Sequence, residues 1–190
     1  VRQGKRVCRL KGGDPLVFGR GGEEARALAD AGLPFEIVPG ISATIGCAAY
    51  AGIPLTLRGV SKSVTLTTAM LDNDLGPDWP NLLSSGDTLA IYMGASSAGK
   101  ISEQLLTQNV AKDLPVAFVE NGTTNQQRRI LCTVETMARA ANTNDLQSPS
   151  IIYIGEAVSA AEDLGWFDGA SRASHFAKLI DGEKVAAVSN

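Results

Sequence analysis

Aromatic side chains are few, with two Trp, three Tyr and five Phe in 190 residues. An aromatic-rich sandwich is thereby disfavoured, and close helix–strand packing over small residues is expected in its place. Histidine occurs once, at His175 in a polar tail, so no metal cluster can be built around it. Cysteine is limited to Cys8, Cys47 and Cys132, an odd number with no CxxC spacing. That excludes a disulfide framework and leaves reduced thiols, each a small buried hydrophobe. A surplus of positive charge is also missing: 17 Lys and Arg against 20 Asp and Glu leave −3. A general nucleic-acid binder is excluded, but an anionic small molecule held by a few arginines is not. No apolar run is long enough to span a bilayer, and no signal peptide is visible, although the sequence opens on Val1 rather than Met. The expected location is the cytoplasm.

What is present is an ordinary globular composition, 44% hydrophobic and 19% charged, with 20 glycines. The length allows one large domain or two small ones. Residues 5–10 alternate basic and apolar, which predicts a short strand. A glycine-rich loop over 12–22 follows, then a helix from Glu23, with two glutamates favouring its N-terminal dipole and Gly32 placed to end it. Residues 35–38 read as a second strand, ended by Pro39-Gly40, after which Ser42 can cap a helix running to about Tyr50. This strand–helix alternation predicts a parallel sheet. The Gly52–Gly59 stretch breaks the rhythm and reads as a domain boundary. Beyond it, strands are expected over 63–68, 88–93, 115–119, 128–133 and 150–154, helices over 98–108 and 134–141, and a loop over 72–80.

The glycine-rich loop contains neither G-x-G-x-x-G nor G-x-x-x-x-G-K-[ST], so a dinucleotide-binding or P-loop module is not supported. A longer string is more specific. Gly12-Gly13-Asp14-Pro15-Leu16-Val17-Phe18-Gly19-Arg20-Gly21 resembles the G-G-D-P-x-x-F-G-R-G motif of the tetrapyrrole methylases. Val38-Pro39-Gly40-Ile41-Ser42-Ala43 is similar to their V-P-G-I-[ST]-A segment, and Gly52-Ile53-Pro54-Leu55-Thr56 to their interdomain linker. Tyr92-Met93-Gly94, Glu120-Asn121-Gly122-Thr123 and Gln127-Arg128 match further segments in order. Within the family the wording is nearest the uroporphyrinogen-III C-methyltransferases.

The resemblance implies two α/β domains with a cofactor cleft between them. Residues 1–57 would be the C-terminal part of an incomplete first domain, 58–168 the second domain, and 169–190 a poorly ordered tail. It implies a homodimer with a small-molecule tetrapyrrole substrate and neither nucleic acid nor membrane as partner. The implied cofactor is S-adenosyl-L-methionine, leaving as S-adenosyl-L-homocysteine. The implied reaction is methylation of uroporphyrinogen III at C2 and C7 to precorrin-2, which feeds sirohaem and cobalamin synthesis. Such a transfer is an in-line displacement, so the protein supplies mainly alignment and water exclusion.

Each residue has a plain reading beside the one the resemblance implies. Gly12 and Gly13 form a turn, or let backbone amides approach a ligand. Asp14 caps the following turn, or accepts hydrogen bonds from the cofactor, which the resemblance places beside it and Val17. Ser42 and Ala43 lie at a helix start where free N–H groups collect. Met93 packs in a core or against the cofactor, and Gly122 matches a cofactor-contacting glycine. Arg20 and Arg58 are candidate partners for substrate carboxylates, or ordinary surface charges; Arg128 and Arg129 are weaker candidates.

The family's first strand and its G-x-G-P-G-D-type loop have no counterpart here. The aspartate and lysine that the resemblance assigns to proton transfer would lie upstream of Val1, so no catalytic residue is carried over. Leu57 stands where the linker usually has histidine, and Thr68-Ala69-Met70 where T-G-H is usual. The alternatives are a methylase of a later corrin intermediate, the related diphthine synthase, which the first motif disfavours, or a non-catalytic dimerising fragment.

Overall fold

The computed structural model describes residues 1–69, 77–83 and 86–167. Met70, residues 72–76 of the expected loop, His175 and the tail 169–190 lie outside the described residues. By internal contact the chain forms two units, Val1–Gly46 and Cys47–Asn190.

In the first unit, helix α1 spans Gly21–Asp30 with Glu23 and Glu24 in its first turn, as expected. Gly32, at φ 63°, ends it: its N–H donates to Ala29 O at 2.9 Å, and Leu33 N–H donates to Leu28 O at 3.0 Å. Lys11 Nζ donates to Glu24 at 2.9 Å and holds that carboxyl below its usual range. The two strands expected here do not form ladders. Residues 5–10 and 35–38 carry no strand pairing, and Val7, Leu10, Phe35, Ile37 and Val38 are exposed. Apolar alternation only marks a face to be buried; a ladder also requires a neighbouring strand about 4.8 Å away. The described residues of this unit offer none, so the expected parallel sheet is replaced by extended chain around α1. Helix α2, Ala43–Ala51, runs across the division between the units.

The second unit is built on five strands: β1 (Val64–Thr68), β2 (Thr88–Tyr92), β3 (Pro115–Glu120), β4 (Arg128–Thr133) and β5 (Ser150–Ile154). Their order is β1-β2-β5-β3-β4, parallel between β1 and β2 and antiparallel elsewhere. The central strands β2, β3 and β5 are buried almost residue for residue, whereas β1 and β4 at the edges are half-exposed. Continuous burial means that both faces are covered. On one face Leu89, Ile91, Val116, Phe118, Ile152 and Ile154 join Ile101 and Leu105 of α4 (Ala98–Thr107) and Met137 of α5 (Met137–Thr143) in one apolar cluster. Cys47, Ala48 and Ala51 of α2 are also buried.

Two local expectations need correction. The helix expected from Val134 begins at Met137, because Thr136 Oγ1 accepts Thr133 N–H at 3.0 Å and closes a turn first. Residues 79 and 80, read as the end of a loop because of Pro77 and Pro80, open a one-turn helix α3 (Trp79–Leu83). Asp78 Oδ1 accepts Asn81 N–H at 3.1 Å there, and Pro80 is tolerated in a first turn. Helix α6 (Ala161–Leu164) completes the described chain.

Candidate functional site

In the first unit, the motif over 12–21 and the segment over 38–43 are brought into contact. Asp14 Oδ1 accepts Leu16 N–H at 2.9 Å, closing the turn, while Oδ2 accepts Gly40 N–H at 3.1 Å and ties the two loops together. A Cβ on Gly40 would meet Gly13 O at 2.5 Å, so glycine is required for that approach. Gly13, at φ 81°, lies against Ile41, Ser42 and Ala43. Gly12 and Gly13 are exposed, Asp14 and Val17 half-buried, Ser42 buried and Ala43 exposed. The carbonyl of Ser42 accepts the first helical bonds of α2, from Ile45 at 2.9 Å and Gly46 at 3.0 Å. Ser42 therefore stands at the helix start, as expected. No atom lies within 4 Å of a Cβ built on Gly12, so that backbone is open to a ligand.

The second unit places Met93 and Gly122 beyond the C-terminal ends of two of its central strands. Strands β2 and β3 run the same way on either side of β5, and Tyr92 and Val119 are both level with Ile151. Met93 and the loop after Glu120 therefore leave the sheet side by side, at the C-terminal strand ends where α/β sheets hold their ligands. Three non-glycine residues there take left-handed backbone: Met93 at φ 56°, Asn121 at 48° and Thr123 at 68°. Each costs on the order of 1 kcal/mol, and such strain clusters at functional sites. Met93 is 45% exposed, so the core-packing alternative does not hold for it. Gly122 packs on Cys47, where a Cβ would overlap Sγ. Burial pushes the Cys47 thiol up to about 11 and keeps it a protonated packing partner.

Residues 1–138 match the family described as Tetrapyrrole (Corrin/Porphyrin) Methylases. The chain belongs to the tetrapyrrole methylases. It is 49% identical over 170 residues to siroheme synthase 2 of Yersinia enterocolitica, covering 90% of this chain and 36% of that protein. Among solved structures it resembles the uroporphyrin-III C-methyl transferase of Thermus thermophilus complexed with S-adenyl homocysteine. That likeness has a TM-score of 0.70 at 34% identity, over 83% of this chain and 69% of that one. A cobalt precorrin-4 methyltransferase gives 0.74 at 27% identity, over 83% and 66%. The chain spans little more than a third of the length of the curated relatives it matches. The α/β, tetrapyrrole methylase-like fold expected from the motifs is the fold found.

Within this methylase fold the arginines separate. Arg128 is committed internally: Nη2 donates to Glu120 Oε2 at 2.6 Å and Nη1 to Asn144 O at 2.9 Å. Arg129 Nη1 donates to Ala51 O at 2.7 Å and Ala161 O at 2.6 Å. Both guanidiniums are thus engaged by the protein's own carbonyls and carboxylate, although the Arg128 side chain keeps 45% of its surface exposed. Arg20 is exposed and pairs through Nε with Glu23 at 2.6 Å; Arg58 is exposed on the turn closed by Leu57 and Ser61. The thiol expectation needs correction at Cys8, which is exposed, while Cys47 is buried and Cys132 half-buried. Sequence reasoning named Glu120 and Arg128 in separate segments and did not pair the buried carboxylate with its arginine. The signal was a lone carboxylate ending an apolar strand, and only the register that sets Glu120 opposite Arg128 gives it meaning. Among the described residues no three His, Cys, Asp or Glu side chains gather into a metal-binding group. No described helix is long and apolar enough to cross a membrane.

Proposed function

We propose that the chain carries S-adenosylmethionine-dependent C-methylation of uroporphyrinogen III at C2 and C7, giving precorrin-2 for sirohaem and cobalamin synthesis. The observation that carries this reading is the joining of the two motif loops through Asp14 and the Gly13–Gly40 contact, which packs Gly13 against the start of α2 and leaves the space at Gly12 open. The names of the similar proteins, a siroheme synthase and a uroporphyrin-III C-methyl transferase holding S-adenyl homocysteine, support the same choice of cofactor and substrate.

The cofactor contacts in this reading are Gly12, Gly13, Asp14, Val17, Ser42, Ala43, Met93 and Gly122. When bound, the sulfonium supplies an activated methyl group; the chain's residues align it and exclude water. Each Asp14 oxygen accepts one backbone N–H and retains acceptor capacity for an ammonium or hydroxyl. Arg20 and Arg58 pair with substrate carboxylates. The Arg20–Glu23 pair is solvent-exposed, so exchanging Glu23 for a substrate carboxylate costs little. A cytoplasmic homodimer, with the domain division after residue 57, belongs to the same proposal. A corrin-intermediate methylase is the second reading, favoured by the likeness to the cobalt precorrin-4 enzyme.

The deciding experiment is isothermal titration with S-adenosylhomocysteine, with the Thermus enzyme as positive control, followed by methyl-transfer assays on uroporphyrinogen III and on a corrin. Saturable binding by the chain and methylation of uroporphyrinogen III are expected. No binding, with the control intact, would remove the cofactor reading for this chain; turnover of the corrin alone would select the second reading.

A further inference from the structure

The loop between β3 and β4 is bent more sharply than a connection requires. Asn121 and Thr123, on either side of Gly122, both take left-handed backbone, and Thr123 is β-branched, the residue shape least suited to it. Such strain persists only where surrounding bonds over-determine it. Part of that restraint comes from the backbone and the loop itself: Asn121 N–H donates to the distant Pro149 O at 2.9 Å, and Thr124 Oγ1 donates to Asn121 O at 2.7 Å. One side chain then closes the loop from its far end. Gln127 Oε1 accepts Thr123 N–H at 2.7 Å, and Gln127 Nε2 donates to Tyr50 O at 3.3 Å. A single carboxamide thereby joins the strained turn to the last turn of α2. It does so beside the point where Gly122 lies on Cys47 of that helix.

We infer that Gln127 is a positioning residue for the methyl donor. Its amide fixes the height and tilt of the Gly122 backbone by holding Thr123 on one side and Tyr50 on the other, without itself touching ligand. Glutamine suits this place because the two bonds require an acceptor and a donor on one planar group. This rests on the proposal that Gly122 contacts S-adenosylmethionine. Alanine at 127 removes the bonds to Thr123 N–H and Tyr50 O and lets the turn relax toward right-handed backbone. Glutamate keeps the acceptor for Thr123 but sets a carboxylate oxygen against the Tyr50 carbonyl, so the second bond becomes a repulsion.

The test titrates S-adenosylhomocysteine into the wild-type chain and into Gln127→Ala, Gln127→Glu and Leu105→Ala, with thermal unfolding of each. Leu105 lies in the core of the second unit and serves as a stability control. Gln127→Ala is expected to bind about tenfold more weakly, the factor carried by one well-made hydrogen bond. Gln127→Glu, which keeps only the Thr123 bond, should recover part of that affinity, whereas Leu105→Ala should lower the melting temperature and leave affinity unchanged. Failure of the wild-type chain to bind would overturn the methyl-donor reading and this role with it. Wild-type binding with unchanged Gln127→Ala affinity would overturn the positioning role alone. So would a Leu105→Ala affinity loss matching that of Gln127→Ala, because the effect would then be one of general stability.

Discussion

A Cβ on Gly122 would overlap Cys47 Sγ, and the cysteine is itself buried at 7% exposure. At this residue the packing role and the proposed ligand role are compatible: the missing side chain lets the turn sit on α2, and the same absence leaves its backbone bare. Gly122→Ala is expected to cost roughly 1–3 kcal/mol by overpacking. In a Cys47→Ala background, where the obstructing sulfur is gone, the cost should fall to less than half. Urea unfolding of the four chains in a double-mutant cycle measures this coupling; additive losses would show that the two residues do not press on each other. The sequence marked Gly122 through its motif, but its neighbour Cys47 lies 75 positions earlier, the difference between 122 and 47, and no spacing rule relates them.

Helix α2 shows how an element is held from outside itself. Its C-terminal end follows a local rule: Gly52, at φ 71°, reverses the chain, and Ile53 N–H donates to Ala48 O at 2.9 Å. The carbonyl of Ala51 is then satisfied by Arg129 from β4, which also binds Ala161 O. A cation at a helix C-terminus also meets the negative end of its dipole. Arg129→Met retains bulk and removes both bonds, and is expected to destabilise the chain by about 2–4 kcal/mol, since two charge-assisted hydrogen bonds are lost. Arg129→Lys should recover only part, because both carbonyls meet Nη1 at the tip of the guanidinium, and a lysine side chain ends one bond short of it. Thermal unfolding with circular dichroism checks the order wild type, lysine, methionine; lysine equal to wild type would mean that charge alone suffices. The strands of the second unit and α1, α2 and α4 could be read from periodicity and end signals alone. The one-turn α3 could not, because Asp78 and Pro80 look equally like loop punctuation until Trp79 is seen buried.

Across the whole molecule, order is unevenly distributed. The second unit has a five-stranded sheet covered on both faces, whereas the described first unit has helices and turns without a ladder. Amides in unladdered segments open at low free energy, and those in central strands open only with the whole unit. Hydrogen exchange should therefore be fast over 5–10 and 35–38 and slowest over 116–119 and 151–154. Protection at 35–38 matching that of β5 would show that a pairing partner exists for that segment. The sequence by itself determined the family, the α/β class, the loop motifs and most elements of the second unit, because motifs, periodicity and end signals are written in neighbouring residues. Only the tertiary structure decided which alternating segments became strands, since a ladder depends on a partner edge that no single segment encodes. It alone also decided that Asp14 ties two loops, that Arg128 and Arg129 serve internal carbonyls and a carboxylate, and that Gln127 closes a strained turn. Those roles depend on distances between residues far apart in the chain, set by loop contacts in the first unit and by sheet order and register in the second.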